Sequence, residues 1–151
     1  MPPPAPTADF ETRTRESFAR QAAMGTLGAT VDTVAPGRVV IAMRHRDALT
    51  QQHGFLHAGI VATALDSACG YAAFTLMPAD AAVLTIEFKI NLLAPARGPE
   101  FRFEGAVTKA GRTISVVDGR AWQHAAPGAE PQLIATMTAT VMTVLGRGLA
   151  G

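Results

Sequence analysis

Residues 53–71 read HGFLHAGIVATALDSACGY, and this stretch decides the fold. The apolar run it opens continues until Pro78 and Asp80, which predicts a helix from near His57 to about Met77. Asp66 is the only formally charged residue between Asp47 and Asp80. Gly54 to Met77 is long enough to cross a bilayer. A carboxylate at its centre would cost about 2.5–3.5 kcal/mol there, and the segment is rich in Ala and Gly rather than Leu and Ile. A helix apolar on nearly every face is then one enclosed by its own protein, and no membrane partner is expected.

The flanking sequence supplies the enclosure. Phe10, Phe18 and Ala22 recur among Arg13, Arg15, Glu16 and Arg20, predicting a short amphipathic helix from about Asp9 to Ala23. Thr26–Val34 and Arg38–Met43 flank Ala-Pro-Gly at 35–37 and read as a β-hairpin. Four strand-like runs follow the long helix. Val83–Leu92 sets Leu84, Ile86, Phe88, Ile90 and Leu92 against Val83, Thr85, Glu87, Lys89 and Asn91. The first set should face the core, and Thr85 should point away from the helix of its own chain. Glu100–Thr108, in which Gly105 is a candidate bulge, Arg112–Gln123 and Gln132–Val144 complete the series. The order predicts an α+β fold, a mostly antiparallel sheet curled around one long helix.

A length of 151 residues fits one domain, spanning residues 9–145, between a proline-rich disordered tail at 1–8 and a frayed tail at 146–151. Thirteen basic against twelve acidic side chains leave a net charge of +1, which gives no global field to draw in nucleic acid. The single cysteine, Cys69, excludes an internal disulfide framework and reads as a core residue. MPPPAPTADF has neither a basic nor an apolar leader region, so a cytoplasmic location is expected.

Asp66 demands an explanation, because an unpaired carboxylate removed from water costs several kcal/mol or shifts its pKa. It is either held by hydroxyls and amides as a structural group or used as an acid, base or nucleophile. Helical spacing puts Ile60, Val61, Leu65, Ala68 and Ala72 on a broad apolar face, and Gly59, Thr63, Asp66, Gly70 and Ala73 on a narrow stripe of small residues. The helix start, Gly54 to Gly59, offers backbone N–H groups with no intrahelical partner, suited to an oxyanion. Asp66 lies seven residues beyond Gly59, about 10 Å along the axis. Carboxylate and donors of one chain are too far apart to act together, whereas two antiparallel copies would join them. His53 and His57 lack a third ligand, so no metal is expected.

Gln51, Gly54, His57-Ala58-Gly59 and Asp66, followed by Thr85 to Ala96 and the Gly111-Arg112 turn, resemble the hotdog-fold acyl-CoA thioesterases, most closely the phenylacetate-degradation type. The resemblance spans roughly residues 25–145. It implies hydrolysis of an acyl- or aryl-CoA by a homodimer or by a homotetramer of two paired dimers, with no cofactor beyond the coenzyme A of the substrate. It implies oxyanion donors at Ala58 and Gly59, Asp66 of the partner subunit as general base or nucleophile, and Gln51 and Thr85 as orienting groups. His57 would fix the loop. Gly54 would border the substrate, and Lys89, Arg97, Lys109 and Arg112 are candidate contacts for the coenzyme A phosphates. The family's usual histidine-glycine-glycine is here His57-Ala58-Gly59, which keeps both N–H groups. A hydratase or dehydratase of the same fold, and a non-catalytic acyl-CoA-binding module, remain as alternatives.

Overall fold

The long apolar helix, α3, runs from Ala58 to Phe74 and is seated against one face of a sheet. The computed structural model describes residues 5–151; the first half of the expected tail, residues 1–4, lies outside them. Residues 5–8 carry no helix or strand, and Arg13 Nη1 donates to Thr7 Oγ1 at 3.0 Å. Among the described residues, no helix is long and apolar enough to cross a membrane. α3 ends three residues before Met77, where Thr75 Oγ1 donates back to the Ala72 carbonyl and accepts from Gly37 N–H. That hydroxyl satisfies the helix end ahead of Pro78.

The other elements are α1 (Phe10–Arg20), α2 (Ala22–Leu27), β1 (Thr30–Ala35), β2 (Arg38–Arg44), β3 (Ala82–Leu92), β4 (Glu100–Lys109), β5 (Ile114–His124) and β6 (Gln132–Val144). The strands form one curved antiparallel sheet in the order β1-β2-β4-β5-β6-β3. Ile41, Phe103, Val117, Ala121, Ala139 and Val141 are fully buried on the face that meets Leu65, Ala68 and Ala72 of α3. The expected α+β arrangement of a sheet around a central helix is therefore what the chain adopts.

Two glycines let the helix approach. Gly105 of β4 pairs with Gly119 of β5, and together they floor the groove in which α3 sits. A Cβ on Gly105 would lie 2.3 Å from the Ala68 carbonyl oxygen, and one on Gly119 would lie 2.9 Å from Cys69 Sγ. Gly105 is thus a close-contact residue rather than the bulge its isolation in a strand suggested; the register shift in β4 comes later, between Val107 and Lys109.

Two other expectations are corrected. The N-terminal helix is broken at Gln21, whose backbone is extended, and α2 continues to a left-handed cap at Gly28 (φ 68°), so β1 starts at Thr30 rather than Thr26. Burial of Met24 and Leu27 holds that second helix on the core. More consequentially, the even alternation of Val83–Leu92 conceals a β-bulge. Thr85 faces Val141 but Glu87 faces Thr140, leaving Ile86 as an extra residue. The bulge exchanges the two faces. Val83 and Thr85 before it share the helix side with Phe88 and Ile90 after it, while Leu84 lies on the outer side with Glu87 and Lys89. β3 is a sheet edge, and Leu84, Ile86, Phe88 and Leu92, all expected in the core, are 43–54% exposed, while Ile90 alone of that set packs against it.

Gly105→Ala is expected to destabilise the protein by about 3 kcal/mol, because backbone cannot yield as a side chain can. Calorimetry should show a fall in Tm on the order of 6–12 °C. Gly25→Ala, where a Cβ meets nothing within 4 Å, should leave Tm unchanged or raise it.

Candidate active site

The start of α3 is shaped by a cap. His57 has extended backbone at the N-cap position, and its Nδ1 accepts from Gly59 N–H at 2.9 Å. The N–H groups of Ile60 and Val61 are taken by the His57 carbonyl. Ala58 N–H is therefore the first-turn donor with no acceptor among the described residues. It borders a cavity of about 390 Å³ lined by Gln51, Phe55, Leu56, Leu93 and Pro95 among others. Gln51 is held there by its N–H to the Phe55 carbonyl at 2.9 Å, and its Oε1 accepts from His53 N–H. The positive φ of 83° at Gly54 turns the chain between them. A small oxyanion at this mouth would meet one free amide, the dipole of α3 and a primary amide side chain.

Asp66 occupies a different cavity, of about 290 Å³, between α3 and the first residues of β3. Thr85 Oγ1 donates to Asp66 Oδ1 at 2.8 Å. The bulge at Ile86 makes this contact possible within one chain and corrects the expectation that Thr85 points away. Burial pushes the Asp66 carboxyl above the usual carboxylate value, and the Thr85 hydroxyl pulls it part of the way back. Asp66 lies eight residues beyond Ala58, about 12 Å along the helix. Donor and carboxylate of one protomer line separate cavities.

The sequence profile of the thioesterase superfamily matches residues 53–125, which contain Ala58, Asp66 and Thr85. A thioesterase family protein from Silicibacter pomeroyi is 56% identical, and its crystal structure superposes with a TM-score of 0.88 over 91% of this chain and 99% of its own. The chain belongs to the thioesterase superfamily. A presumed esterase of Saccharolobus solfataricus is 37% identical over 92 residues; the match spans 61% of this chain and 65% of that relative, less than two thirds of its length. The Escherichia coli PaaI protein from the phenylacetic acid degradation operon superposes with a TM-score of 0.82 over 91% of this chain at 16% identity, a likeness of fold.

The start of α3 gathers some of the sequence-predicted residues, and others lie apart from it. Gln51, Gly54, His57, Ala58 and Gly59 cluster at the start of α3, and Arg97 joins them by stacking its guanidinium 5.1 Å from the Phe55 ring centroid. Lys89 projects from the outer side of the sheet, where its Nζ donates to Asn91 Oδ1 at 2.7 Å. Lys109 and Arg112 flank the β4–β5 turn, and Arg112 borders a cavity beside the far end of α3 with Ala73 and Met77. Cys69 is fully buried and its thiol is pushed up to about 12, so it is an inert core group. Ser17, Gln21, Tyr71 and residues 149–151, which share the Asp66 cavity, carried no signal in the sequence, since nothing in their spacing ties them to position 66.

A carboxyl whose folded pKa is raised binds more protons folded than unfolded, so its contribution to stability falls as pH rises above the ordinary carboxylate range. Asp66→Asn keeps an acceptor for Thr85 and removes that cost. Its Tm should therefore exceed that of the wild type at pH 7, with the difference shrinking towards pH 4, as measured by calorimetry across that range.

Proposed function

We propose that this protein is an acyl-CoA thioesterase whose sites form between two subunits. The observation that carries the reading is the separation of an amide donor at Ala58 from a half-buried carboxylate at Asp66 on one helix, in two cavities, beside an open sheet edge. A second copy placed antiparallel along β3 would cover Ile86, Phe88 and Leu92 and bring the Asp66 of each chain towards the Ala58 of the other. An exposed, apolar edge strand favours such pairing. The row Leu84, Met142 and Ile114 on the outer side of the sheet offers a further apolar surface for pairing dimers into a tetramer.

In the proposed reaction the thioester carbonyl oxygen sits at Ala58 N–H, which stabilises the negative charge that develops there. Gln51 orients the same group. Ionised Asp66 takes a proton from a water molecule as its oxygen bonds to the carbonyl carbon, or bonds to that carbon itself and is released later by water. The carbon–sulfur bond breaks, and the thiolate of coenzyme A leaves and takes up a proton. Thr85 holds the carboxylate in position. The apolar cavity beside Ala58, with Arg97 stacked on Phe55 of its lining, suits the pantetheine arm and an anionic group beyond it. No cofactor is needed in this scheme.

The alternatives fit less well. A hydratase needs a histidine paired with a carboxylate, and Asp66 is bonded to Thr85 while His57 Nδ1 is spent on Gly59. A binding module for an anionic thioester gains nothing from a half-buried carboxylate in its path.

Thiol release from a panel of acyl-CoAs tests the reading. Asp66→Asn should lower kcat by at least about a thousandfold. Ala58→Pro removes the donor at the one helix position where proline is tolerated, since His57 already has the extended backbone that must precede it (φ −59°, ψ 138°). It should lower kcat by about 10²–10³ while leaving the fold intact. The acid limb of kcat/KM should lie above the ordinary carboxylate range and move higher still in Thr85→Val, which loses the hydrogen bond that favours the ionised form. Unchanged hydrolysis in Asp66→Asn would contradict the assignment.

A further inference from the structure

The cavity that holds Asp66 extends beyond the carboxylate to a polar wall contributed by α1, Gln21 and the far part of α3. A pocket built only for a hydrocarbon chain has no use for such a wall, because polar groups there must find partners. Ser67 Oγ donates to Gln21 Oε1 at 3.1 Å, which fixes the amide and leaves its Nε2 hydrogens without an acceptor among the described residues. Tyr71 hydroxyl and Ser17 Oγ lie 3.2 Å apart and share one hydrogen bond, so one further hydrogen of the pair has no acceptor among the described residues. Burial pushes the Tyr71 phenol upward, which keeps it a neutral donor. At Gly70 a Cβ would meet nothing within 4 Å, so open space separates the carboxylate from these groups. Tyr71 is five residues past Asp66, about 7.5 Å along the axis.

Residues 149–151 form another wall of the same cavity. Arg20 Nη2 donates to the Gly151 carbonyl at 2.5 Å, and Gly151 N–H donates to the Ala81 carbonyl at 3.1 Å. A Cβ on Gly151 would lie 2.1 Å from the Phe74 ring, so this contact is one that glycine permits. The segment expected to fray carries no helix or strand, but its end is pinned as a wall. At about 290 Å³ the space is at the lower end of ligand pockets, which run to about 300–1,000 Å³. It suits a short acyl group. Among the described residues Asp66 is the sole acidic side chain of the lining, and its charge would repel a second carboxylate.

Resting on the thioesterase reading above, we propose that this cavity receives the acyl group and that Gln21 and Tyr71 select a short chain ending in a neutral hydrogen-bonding substituent, such as a hydroxyl. A site built to hydrogen-bond a hydroxyl rejects the analogue that lacks it far more strongly than an apolar pocket rejects a hydroxyl.

The test is kcat/KM for ω-hydroxyhexanoyl-CoA relative to hexanoyl-CoA. The wild type should favour the hydroxylated substrate by about tenfold or more, and Gln21→Met and Tyr71→Phe should each reduce that ratio by about five- to tenfold. The wild-type ratio alone suffices should a variant fail to fold. A wild-type ratio at or below one, or a ratio unchanged in folded variants, overturns the proposal. So does hydrolysis of other acyl-CoAs with neither of these two accepted, and in each of those cases the thioesterase reading stands. Absence of hydrolysis with every acyl-CoA tried removes the thioesterase reading and this proposal together.

Discussion

A carboxylate inside an apolar helix constrains everything around it. Asp66 sits on the one long helix that the sheet curves around, and its charge must be offset where water is scarce. The chain meets this with a hydroxyl from β3 and a cavity left open by the small residues of the same helix stripe. Burial still dominates, so the carboxyl stays easier to protonate than an ordinary aspartate. That is a cost to stability and an asset to chemistry, because a base of raised pKa accepts a proton more readily at neutral pH.

The hydroxyl reaches Asp66 because β3 carries an extra residue. Without the bulge at Ile86, either Thr85 would face outward or Phe88 and Ile90 would, and the strand could not present both a polar group to the carboxylate and an apolar flank further along the same side. Bulges at sheet edges re-aim side chains in this way. Here the strand that aims Thr85 is also the strand left open at the sheet edge, which links the carboxylate to the surface where the proposed partner would dock. At the other end of the helix, the His57 ring occupies one amide and leaves its neighbour free, so the half-site there is narrower than a terminus with every donor open.

The fold was largely legible in the sequence because its main signals are periodic. The charge-free run around Asp66 marked the enclosed helix, and alternation in Glu100–Thr108, Arg112–Gln123 and Gln132–Val144 marked strands that the structure reproduces within a few residues. What stayed hidden was not periodic. The bulge at Ile86 falls in a stretch whose alternation is unbroken, so the pattern itself pointed Thr85 the wrong way. Gly105 looked like a strand irregularity, since the carbonyl it must avoid belongs to a residue 37 positions earlier, Ala68. The lone carboxylate of Asp66 and the open amides at the helix start were legible from local composition and helix geometry; that the His57 ring takes the Gly59 N–H and leaves Ala58 was not. Gln21, Tyr71 and the 149–151 wall were not, because they meet Asp66 only through the tertiary fold.

Mixing two inactive variants tests directly whether the donor of one chain works with the carboxylate of another. Asp66→Asn and Ala58→Pro would be co-refolded at equal concentration and assayed for thiol release. In a mixed dimer one site keeps Ala58 N–H from the first variant and Asp66 from the second, while the other site has neither. With random pairing, roughly a quarter of wild-type activity should return. Recovery no greater than the sum of the two variants measured separately, with mixed dimers demonstrated by mass, would contradict a site shared between two chains.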